Sequence, residues 1–399
     1  MSSISASASE FINAPTTAPT AAPTEEVFSP HTSPHIASEA VPSQPLPSPQ
    51  TPLTPAITTQ HSKLWRPKQV LVTPDAYEEA WGQQIIARVQ ALGIPVTRLS
   101  QNRITGLKGK TEQETYAKAK NTMAIVNAPV GQLKLTPIPP SADWQFHLAH
   151  GCPAHCQYCY LAGSLSGAPV VKVYANLPTI LENLANYEKE NQHTTYEVSC
   201  YTDPLGIEHL TGSLAACIRY FGTRKSAQLR WVTKFDSVDS LLDLPHQGHT
   251  RCRISVNADP VSRTLEGGTA TVEQRLQGVR KLALQGYPIG LVVAPIMAIA
   301  NWQTHYETLF NQVSQALNFE CDLTFELITH RFTPKSKEVL QSWYPKSPLD
   351  LEEANRSQKR NKFGGVKYVY PKDTMAALKE FIQSQIDARF PNAEILYWT

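Results

Sequence analysis

Short runs of β-forming residues alternate with helical stretches between about residues 144 and 333, and this alternation limits the fold more than any other feature. Runs rich in Val, Ile, Thr and aromatic residues favour strands, whereas the segments between them carry apolar residues at helical spacing. Strands separated by helices form βα units on a parallel sheet. Six units are too few for a closed barrel of eight, so we predict a partial (β/α)6 barrel. The six predicted strands are residues 145–150, 195–200, 229–233, 252–257, 289–294 and 322–327.

The chain divides into four predicted regions. They are a tail at 1–62, an α/β lead-in at 63–143, the partial barrel at 144–333 and a C-terminal extension at 334–399, with a hairpin near 366–370 and a closing helix at 374–390. The tail holds 11 of the 31 prolines, many Ser, Thr and Ala residues, and no Lys or Arg. Such a composition buries too little apolar surface to offset the entropy of ordering, so we predict that the tail is disordered.

Composition narrows the class of protein. No run of about 18 apolar residues is present, so no contact with a membrane is predicted, and the N-terminus lacks the basic start and apolar core of a secretory signal. Seven cysteines are too few for a disulfide scaffold, and the number is odd, so we expect a cytoplasmic protein. Beyond the tail, 36 basic residues face 30 acidic ones. That excess is compatible with nucleic acid but is not diagnostic of it.

Three of the seven cysteines, Cys152, Cys156 and Cys159, fall within eight residues in the spacing C-x3-C-x2-C. They follow the first predicted strand, in a loop able to surround a metal centre. Thiolates select iron–sulfur clusters or zinc over hard cations. A zinc site would recruit a fourth ligand such as His155, but the second cysteine pair of the usual zinc module is absent. A 4Fe–4S cluster on three thiolates would leave one iron open to a small molecule.

The same spacing, with Tyr158 just before the last cysteine, resembles the motif of radical S-adenosylmethionine enzymes. The resemblance implies a 4Fe–4S cluster and S-adenosylmethionine as cofactors, which together supply a 5′-deoxyadenosyl radical. Cys200 ends the second predicted strand, so its thiol should lie on the rim where β/α enzymes keep their chemistry. The remaining cysteines are interpreted as small buried hydrophobes; they are Cys217, Cys252 and Cys321.

Several separated blocks carry a closer resemblance. They are residues 151–161, 199–210, 229–235, 253–258, 286–295, 323–333 and 390–393. From about residue 68 to its end, the chain resembles the spore photoproduct lyase family of radical S-adenosylmethionine carbon–carbon lyases. The resemblance implies repair of a thymine dimer in DNA, with hydrogen abstraction from C6 and return of a hydrogen by Cys200. Two alternatives stay open: the same scaffold acting on another DNA lesion or modified nucleotide, and a zinc-stabilised nucleic-acid-binding protein.

The resemblance also implies roles for further residues. Tyr158 and Tyr160 are catalytic candidates that relay a radical or pack on the cofactor. Expected contacts to S-adenosylmethionine are Thr202, Lys234, Ser255 and Asn257. Expected contacts to DNA are Arg331, Lys362, Phe363 and Tyr368, beside the basic stretch 356–362. Damaged DNA and an electron donor such as flavodoxin or ferredoxin are the expected partners.

Two stretches depart from the family pattern. After the hydrogen-donor cysteine the family commonly has Thr-Ser-Asp, whereas this chain has Tyr201-Thr202-Asp203. Where the family typically has Gly-Arg-Tyr-Gly, this chain has Asn361-Lys362-Phe363-Gly364. Lys keeps a phosphate-binding charge but loses the bidentate fork of Arg, and Phe keeps a stacking face without the hydroxyl. We therefore expect the geometry of lesion binding to differ from the family pattern.

Overall fold

Two large sheets organise the part of the chain that the computed structural model describes, residues 63–165, 167–189, 192–360 and 364–399. These residues all belong to one unit, which spans residues 59–399. The expected disorder of residues 1–62 and the expected DNA contacts Lys362 and Phe363 lie outside the described residues.

The secondary structure of the described residues is as follows. The strands are β1 (Gln69–Val72), β2 (Val96–Arg98), β3 (Thr122–Val126), β4 (Thr136–Ile138), β5 (Ala142–Phe146), β6 (Ala149–His150), β7 (His155–Cys156), β8 (Val171–Tyr174), β9 (Thr194–Val198), β10 (Ala227–Thr233), β11 (Thr250–Val256), β12 (Glu266–Gly267), β13 (Ile289–Ile296), β14 (Leu323–Thr329), β15 (Ser357–Arg360), β16 (Val366–Val369) and β17 (Glu394–Trp398). The helices are α1 (Pro74–Glu78), α2 (Ala80–Ala91), α3 (Glu112–Lys120), α4 (Val130–Leu133), α5 (Leu177–Leu184), α6 (Glu208–Thr211), α7 (Ser213–Gly222), α8 (Asp259–Leu265), α9 (Val272–Leu284), α10 (Trp302–Ala316), α11 (Pro334–Trp343) and α12 (Lys372–Arg389).

The larger sheet is the predicted partial barrel. Its strand order is β17-β14-β13-β11-β10-β9-β5-β4, and every neighbouring pair from β5 to β17 is parallel. Only β4 at the edge runs antiparallel to its neighbour β5. The helices that follow β9, β11 and β13 include α7, α9 and α10, whose apolar sides are buried against the sheet. The predicted α/β fold with six successive barrel strands is therefore confirmed.

The strands at the two ends of the barrel differ from the prediction. The first predicted strand, 145–150, is two strands, because β5 ends at Phe146 and Ala149–His150 pairs with β8 in the other sheet. The C-terminal strand β17 was not predicted, although it pairs with β14 and extends the barrel. Pairing at a sheet edge depends on residues distant in sequence, and a short terminal run carries little periodic signal.

The smaller sheet has the strand order β2-β1-β3-β8-β6. Its apolar core packs α2 onto the sheet through Ile85 and Val89, against Val70 and Met123 of the strands. Strand β8 comes after the cysteine segment in the chain, so this sheet takes strands from both sides of residue 143. The boundaries proposed from the sequence, at residues 143 and 333, stay predictions.

Local sequence explains the central elements. Strand β13 is a continuous apolar run, as expected for a parallel strand that is buried on both faces. Helix α9 begins at a capping box, in which Thr271 and Gln274 each accept the backbone N–H of the other. Its apolar residues then recur at helical spacing and are buried. Among the described helices, none has both the length and the apolar character needed to cross a membrane.

A charged network fills the interior of the barrel below the carboxyl ends of the strands. Arg253 of β11 forms ion pairs with Glu197 of β9 and, at 2.7 Å, with Glu326 of β14. Arg230 also pairs with Glu326, whose Oε2 accepts the hydroxyl of Tyr397 at 2.6 Å. The side chains of Arg253 and Glu326 are only 3% and 1% exposed. The network therefore links strands β9, β10, β11, β14 and β17 by buried charges.

Candidate active site

The three cysteines lie on a loop that two backbone features fix to the fold. Gly151 precedes the loop with φ of 94°, and a Cβ there would lie 2.3 Å from the carbonyl oxygen of Val170. Only glycine fits this left-handed, crowded position. At the other end, Cys156 pairs with Glu266 between the short antiparallel strands β7 and β12. The loop is thereby held between the N-terminal sheet and the segment after α8.

One cavity of about 390 Å³ opens beside this loop at the carboxyl ends of the barrel strands. It brings together most of the residues that the sequence predicted for the site. Those that line it are Cys152, Cys156, Cys159, Tyr158, Tyr160, Cys200, Thr202, Lys234, Ser255 and Arg331. Asn257 and Tyr368 are not part of its lining. Burial raises the pKa of the Cys152 thiol to about 11 and that of the Cys156 thiol further.

Polar groups from three strand ends converge on this cavity. Lys234, directly after β10, donates from Nζ to the Oγ of Ser255 at the end of β11, at 2.5 Å. The buried carboxylate of Asp203 accepts the backbone N–H of Lys234 and the hydroxyl of Thr233, both at 2.7 Å. Beside it, the Oγ1 of Thr202 is buried and has no hydrogen-bond partner among the described residues. A buried hydroxyl without a partner is costly, so this wall of the cavity suits a polar ligand.

Asn257 lies one layer behind this wall and is fully buried. Its Nδ2 donates to the carbonyl of Pro295 at 2.8 Å, and its Oδ1 accepts the backbone N–H of Ala258 at 2.9 Å and the hydroxyl of Tyr306 at 3.0 Å. Through these hydrogen bonds, the side-chain amide of Asn257 links the end of β11 to the end of β13. Direct contact of Asn257 with S-adenosylmethionine stays a prediction.

Cys200 stands on the cavity wall just beyond β9. The strand ends at Val198, two residues earlier than predicted, because Ser199 adopts a left-handed conformation with φ of 61°. The Oγ of Ser199 accepts the backbone N–H of Leu148 at 3.1 Å, which fixes this turn. Burial raises the pKa of the Cys200 thiol, and the carboxylate of Glu197 raises it further. The side chain is therefore a neutral thiol that retains its S–H hydrogen near neutral pH.

The two tyrosines beside Cys159 differ in their surroundings. Tyr158 is buried, and its hydroxyl donates to Glu266, which also pairs with Arg275 at 2.6 Å. Burial and the Glu266 carboxylate raise the pKa of Tyr158 well above its usual value. Tyr160 is 37% exposed, and the guanidinium of Arg331 lies 5.4 Å from the centre of its ring. Tyr158 is thus fixed inside the site, whereas Tyr160 stands at its open side.

Sequence reasoning missed the residues that support the cysteine loop from behind. Lys120, at the end of α3, is buried, and its Nζ donates to the carbonyl oxygens of Cys152 and Ala154. The hydroxyl of Tyr116, one turn earlier, is hydrogen-bonded to Nδ1 of His155 at 2.8 Å and to the hydroxyl of Tyr344. No local pattern in the stretch around Lys120 signals these contacts, because they join segments more than 30 residues apart.

The positions of the possible metal ligands indicate whether the site suits a zinc ion or a 4Fe–4S cluster. Burial lowers the pKa of His155, the expected fourth zinc ligand, to about 4. In the described residues no group of three or more His, Cys, Asp and Glu side chains is placed to hold a single metal ion. A zinc ion needs all its donors within about 2.0–2.3 Å of one point, whereas each thiolate of a 4Fe–4S cluster binds a separate iron. Three thiols around one cavity fit the cluster.

Of the two predicted DNA contacts that the structure describes, one lines the cavity and the other lies on the neighbouring hairpin. Arg331 lines the cavity, whereas Tyr368 belongs to β16 and stacks on Phe332, with ring centres 5.3 Å apart. Residues 357–360 of the basic stretch form strand β15, which pairs with β16 and carries the exposed residues Lys359 and Arg360. Lysines and aromatic rings therefore share one hairpin beside the cavity residue Arg331.

Comparison with known protein families gives a match over almost the whole described chain. The family described as spore photoproduct lyase matches residues 65–399. The spore photoproduct lyase of Bacillus subtilis (strain 168) is 40% identical to this chain over 338 residues, which are 84% of this chain and 98% of the relative. The spore photoproduct lyase of Geobacillus sp. (strain Y412MC61) is 39% identical with the same coverage.

Solved structures agree with the sequence relatives. A spore photoproduct lyase double mutant with bound AdoMet and dinucleoside spore photoproduct has a TM-score of 0.81 and 37% identity, covering 84% of this chain and 100% of that chain. A spore photoproduct lyase complexed with dinucleoside spore photoproduct has a TM-score of 0.80 with the same identity and coverage.

Proposed function

The chain belongs to the spore photoproduct lyase family, and we propose that it repairs spore photoproduct, a thymine dimer, in DNA by radical S-adenosylmethionine chemistry in the cavity described above. It is a lyase of the radical S-adenosylmethionine type. One observation carries the assignment of the chemistry to this cavity. The three cysteines of the motif, the thiol of Cys200 and the Lys234–Ser255 pair all line the same space.

Cys152, Cys156 and Cys159 are proposed to hold a 4Fe–4S cluster, with one iron left for S-adenosylmethionine. A cluster and S-adenosylmethionine held there would supply a 5′-deoxyadenosyl radical, the reagent for hydrogen abstraction from C6 of the lesion. Lys234 and Ser255 present an ammonium and a hydroxyl that suit the carboxylate and ribose of S-adenosylmethionine. The unpartnered hydroxyl of Thr202 adds a third polar group on the same wall.

Cys200 is proposed to return the hydrogen. Loss of the C6 hydrogen lets the methylene bridge of the dimer break, and the carbon-centred product radical so formed takes the hydrogen atom of the S–H group, which leaves a sulfur radical on Cys200. The step requires a thiol and not a thiolate, because a thiolate has no hydrogen to give. Burial and the neighbouring carboxylate of Glu197 favour the thiol. Tyr158 and Tyr160 line the same cavity, and we propose that one of them relays this radical: its hydroxyl gives a hydrogen atom to the sulfur, which restores the Cys200 thiol and leaves the radical on the tyrosine.

Arg331, at the cavity, and the basic hairpin β15–β16 are proposed to hold the DNA, with Lys362, Phe363 and Tyr368 as further contacts. A dimer of adjacent bases has to leave the helix stack to enter a cavity, and this costs a few kcal/mol, least at a damaged step. Cationic groups beside aromatic rings hold phosphates and stack on exposed bases. A flavodoxin or ferredoxin is the proposed source of electrons.

One observation favours the alternative of another lesion on the same scaffold. Tyr201 lines the cavity at the position where the family commonly has Thr. Its ring stacks on His150 with centres 4.9 Å apart, and the ring of His147 meets it edge-on at 5.1 Å. A ring held in this way takes up space beside Cys200 and limits the shapes of lesion that fit there.

The deciding experiment is an anaerobic assay of the reconstituted chain on dinucleoside spore photoproduct. We expect 5′-deoxyadenosine and restored thymine. Formation of 5′-deoxyadenosine without thymine would favour the alternative lesion. A chain that takes up zinc but no iron and sulfide would refute the cluster and leave the zinc-stabilised binding protein.

A further inference from the structure

Lys120 is a buried lysine without a carboxylate partner. It is 6% exposed, and both hydrogen bonds of its Nζ go to backbone carbonyls, those of Cys152 and Ala154. Among the described residues no carboxylate pairs with it; burial lowers the pKa of Lys120, and negative charge on the three cysteines raises it. An uncompensated buried ammonium is strongly unfavourable. The charged form of Lys120 therefore needs an anion beside it, and the adjoining cavity, which Lys120 lines together with the three cysteines, is where one can bind.

The position of Lys120 links this charge to the cysteine loop. It is the last residue of α3, and its backbone carbonyl accepts the indole N–H of Trp65 at 3.2 Å, which holds the helix end in place. Its ammonium lies 5.8 Å from the centre of the Tyr116 ring and lines the cavity with the three thiols. Both carbonyls that it binds belong to the loop of Cys152, so the ammonium fixes the backbone from which the first ligand projects.

We propose that Lys120 is a positioning residue that holds the cysteine loop and, by its charge, raises the reduction potential of the cluster bound there. Three thiolates on an iron–sulfur core give an anionic centre, and reduction adds a further negative charge. A fixed positive charge beside the centre stabilises the reduced form more than the oxidised form, and net charge and hydrogen bonds near the sulfurs set such potentials. The inference rests on the proposed 4Fe–4S cluster.

Three substitutions separate the charge from the hydrogen bonds. Lys120→Arg keeps the charge, Lys120→Gln keeps donors to carbonyls without a charge, and Lys120→Met keeps neither. Lys118→Gln is the matched control, because Lys118 lies on the same helix but is exposed and bonds only to the carbonyl of Lys108 at 3.3 Å. Each full-length chain is reconstituted anaerobically, assayed for iron and sulfide, and titrated for its midpoint potential by electron paramagnetic resonance.

We expect Lys120→Gln to take up the cluster. The equilibrium constant for its one-electron reduction should fall by at least about tenfold, which lowers the midpoint potential by about 59 mV. Lys120→Arg and Lys118→Gln should titrate like the parent. Lys120→Met should take up less iron than Lys120→Gln. A parental potential in Lys120→Gln would overturn the proposed role of the charge, and full iron in Lys120→Met would overturn the role in holding the loop. If the parent itself binds no iron and sulfide, the proposed cluster fails, and this result is distinct from either outcome for Lys120.

Discussion

The Nζ of Lys234 lies 2.5 Å from the Oγ of Ser255, and this contact joins the carboxyl ends of the neighbouring barrel strands β10 and β11. The Nζ is also 3.9 Å from Oε1 of Glu266. Lys234 is thus held in one position before any ligand binds, and only small rearrangements are needed to present its charge to a carboxylate. Preorganised donors of this kind bind ligands with less loss of entropy.

Replacing either member of this pair should weaken the binding of S-adenosylmethionine. A hydrogen bond to a charged group contributes about 1.5–3 kcal/mol, so we expect Lys234→Met to raise the dissociation constant by about 10- to 100-fold, and Ser255→Ala by less. The measurement is equilibrium dialysis of S-adenosylmethionine against the reconstituted chain under anaerobic conditions. Lys225→Met, at an exposed position before β10, is the control. Unchanged affinity in both variants would refute their role as cofactor contacts.

Replacing Cys200 should separate hydrogen abstraction from product formation. We expect Cys200→Ala and Cys200→Ser to form 5′-deoxyadenosine while restored thymine falls about tenfold or more, because neither side chain has an S–H hydrogen to return. Products are measured by chromatography after anaerobic turnover of dinucleoside spore photoproduct. Cys321→Ala is the control, since Cys321 is half-buried but does not line the cavity. Loss of iron in Cys200→Ala would instead indicate a structural or ligand role.

The fold was predictable where local sequence and burial agree. Strand β13 and helix α9 are examples: one is a continuous apolar run, and the other has a capping box followed by apolar residues at helical spacing. The sheet to which a strand belongs was not predictable in the same way. β6 and β8 join the N-terminal sheet, and β17 joins the barrel, through partners far away in the sequence. Such pairings depend on the packing of the whole chain.

In the site, too, some features were predictable from the sequence and others depend on the packing of distant segments. That the cysteine motif lines one cavity with Cys200, Lys234 and Ser255 was predictable, because the carboxyl ends of parallel strands meet on one rim. Lys120 was not predictable, since its contacts to the cysteine loop arise only when α3 packs behind that loop. The hydrogen bonds of Asn257 to Pro295 and Tyr306 were likewise not predictable, and its expected contact with the cofactor stays a prediction.

Breaking the charged network inside the barrel should strongly destabilise the chain. Arg253→Met would leave the carboxylates of Glu197 and Glu326 buried without their shared partner. Loss of one member of a buried ion pair costs about 3–5 kcal/mol, and urea denaturation measures this as a change in the free energy of unfolding. Arg251→Met is the control two residues away, because its partner Asp322 is 57% exposed. Exposed pairs contribute about 1 kcal/mol or less, so equal losses in the two variants would contradict the prediction.

The stability of the chain should fall in mild acid partly because of one histidine on the cavity wall. His330 is 2% exposed, neither ring nitrogen has a hydrogen-bond partner among the described residues, and burial together with the charge of Arg356 lowers its pKa from 6.5 to about 3. Between these two values the unfolded chain binds a proton that the folded chain does not. The free energy of unfolding therefore falls as the pH falls below 6.5.

Removing this histidine should flatten that dependence. From pH 7 to pH 5, proton uptake at His330 lowers the free energy of unfolding by about 2 kcal/mol, and we expect His330→Leu to lack this part of the loss. The measurement is urea denaturation of the cluster-free chain at several pH values, compared as differences from the parent, so that other titrating groups cancel. His193→Leu, at an exposed position, is the control and should keep the parent's pH dependence. If His330→Leu keeps the parent's pH dependence of the free energy of unfolding, the imidazole of His330 is protonated in the folded parent at these pH values. The cavity wall would then carry a charged imidazole, and not a neutral one, together with Arg331.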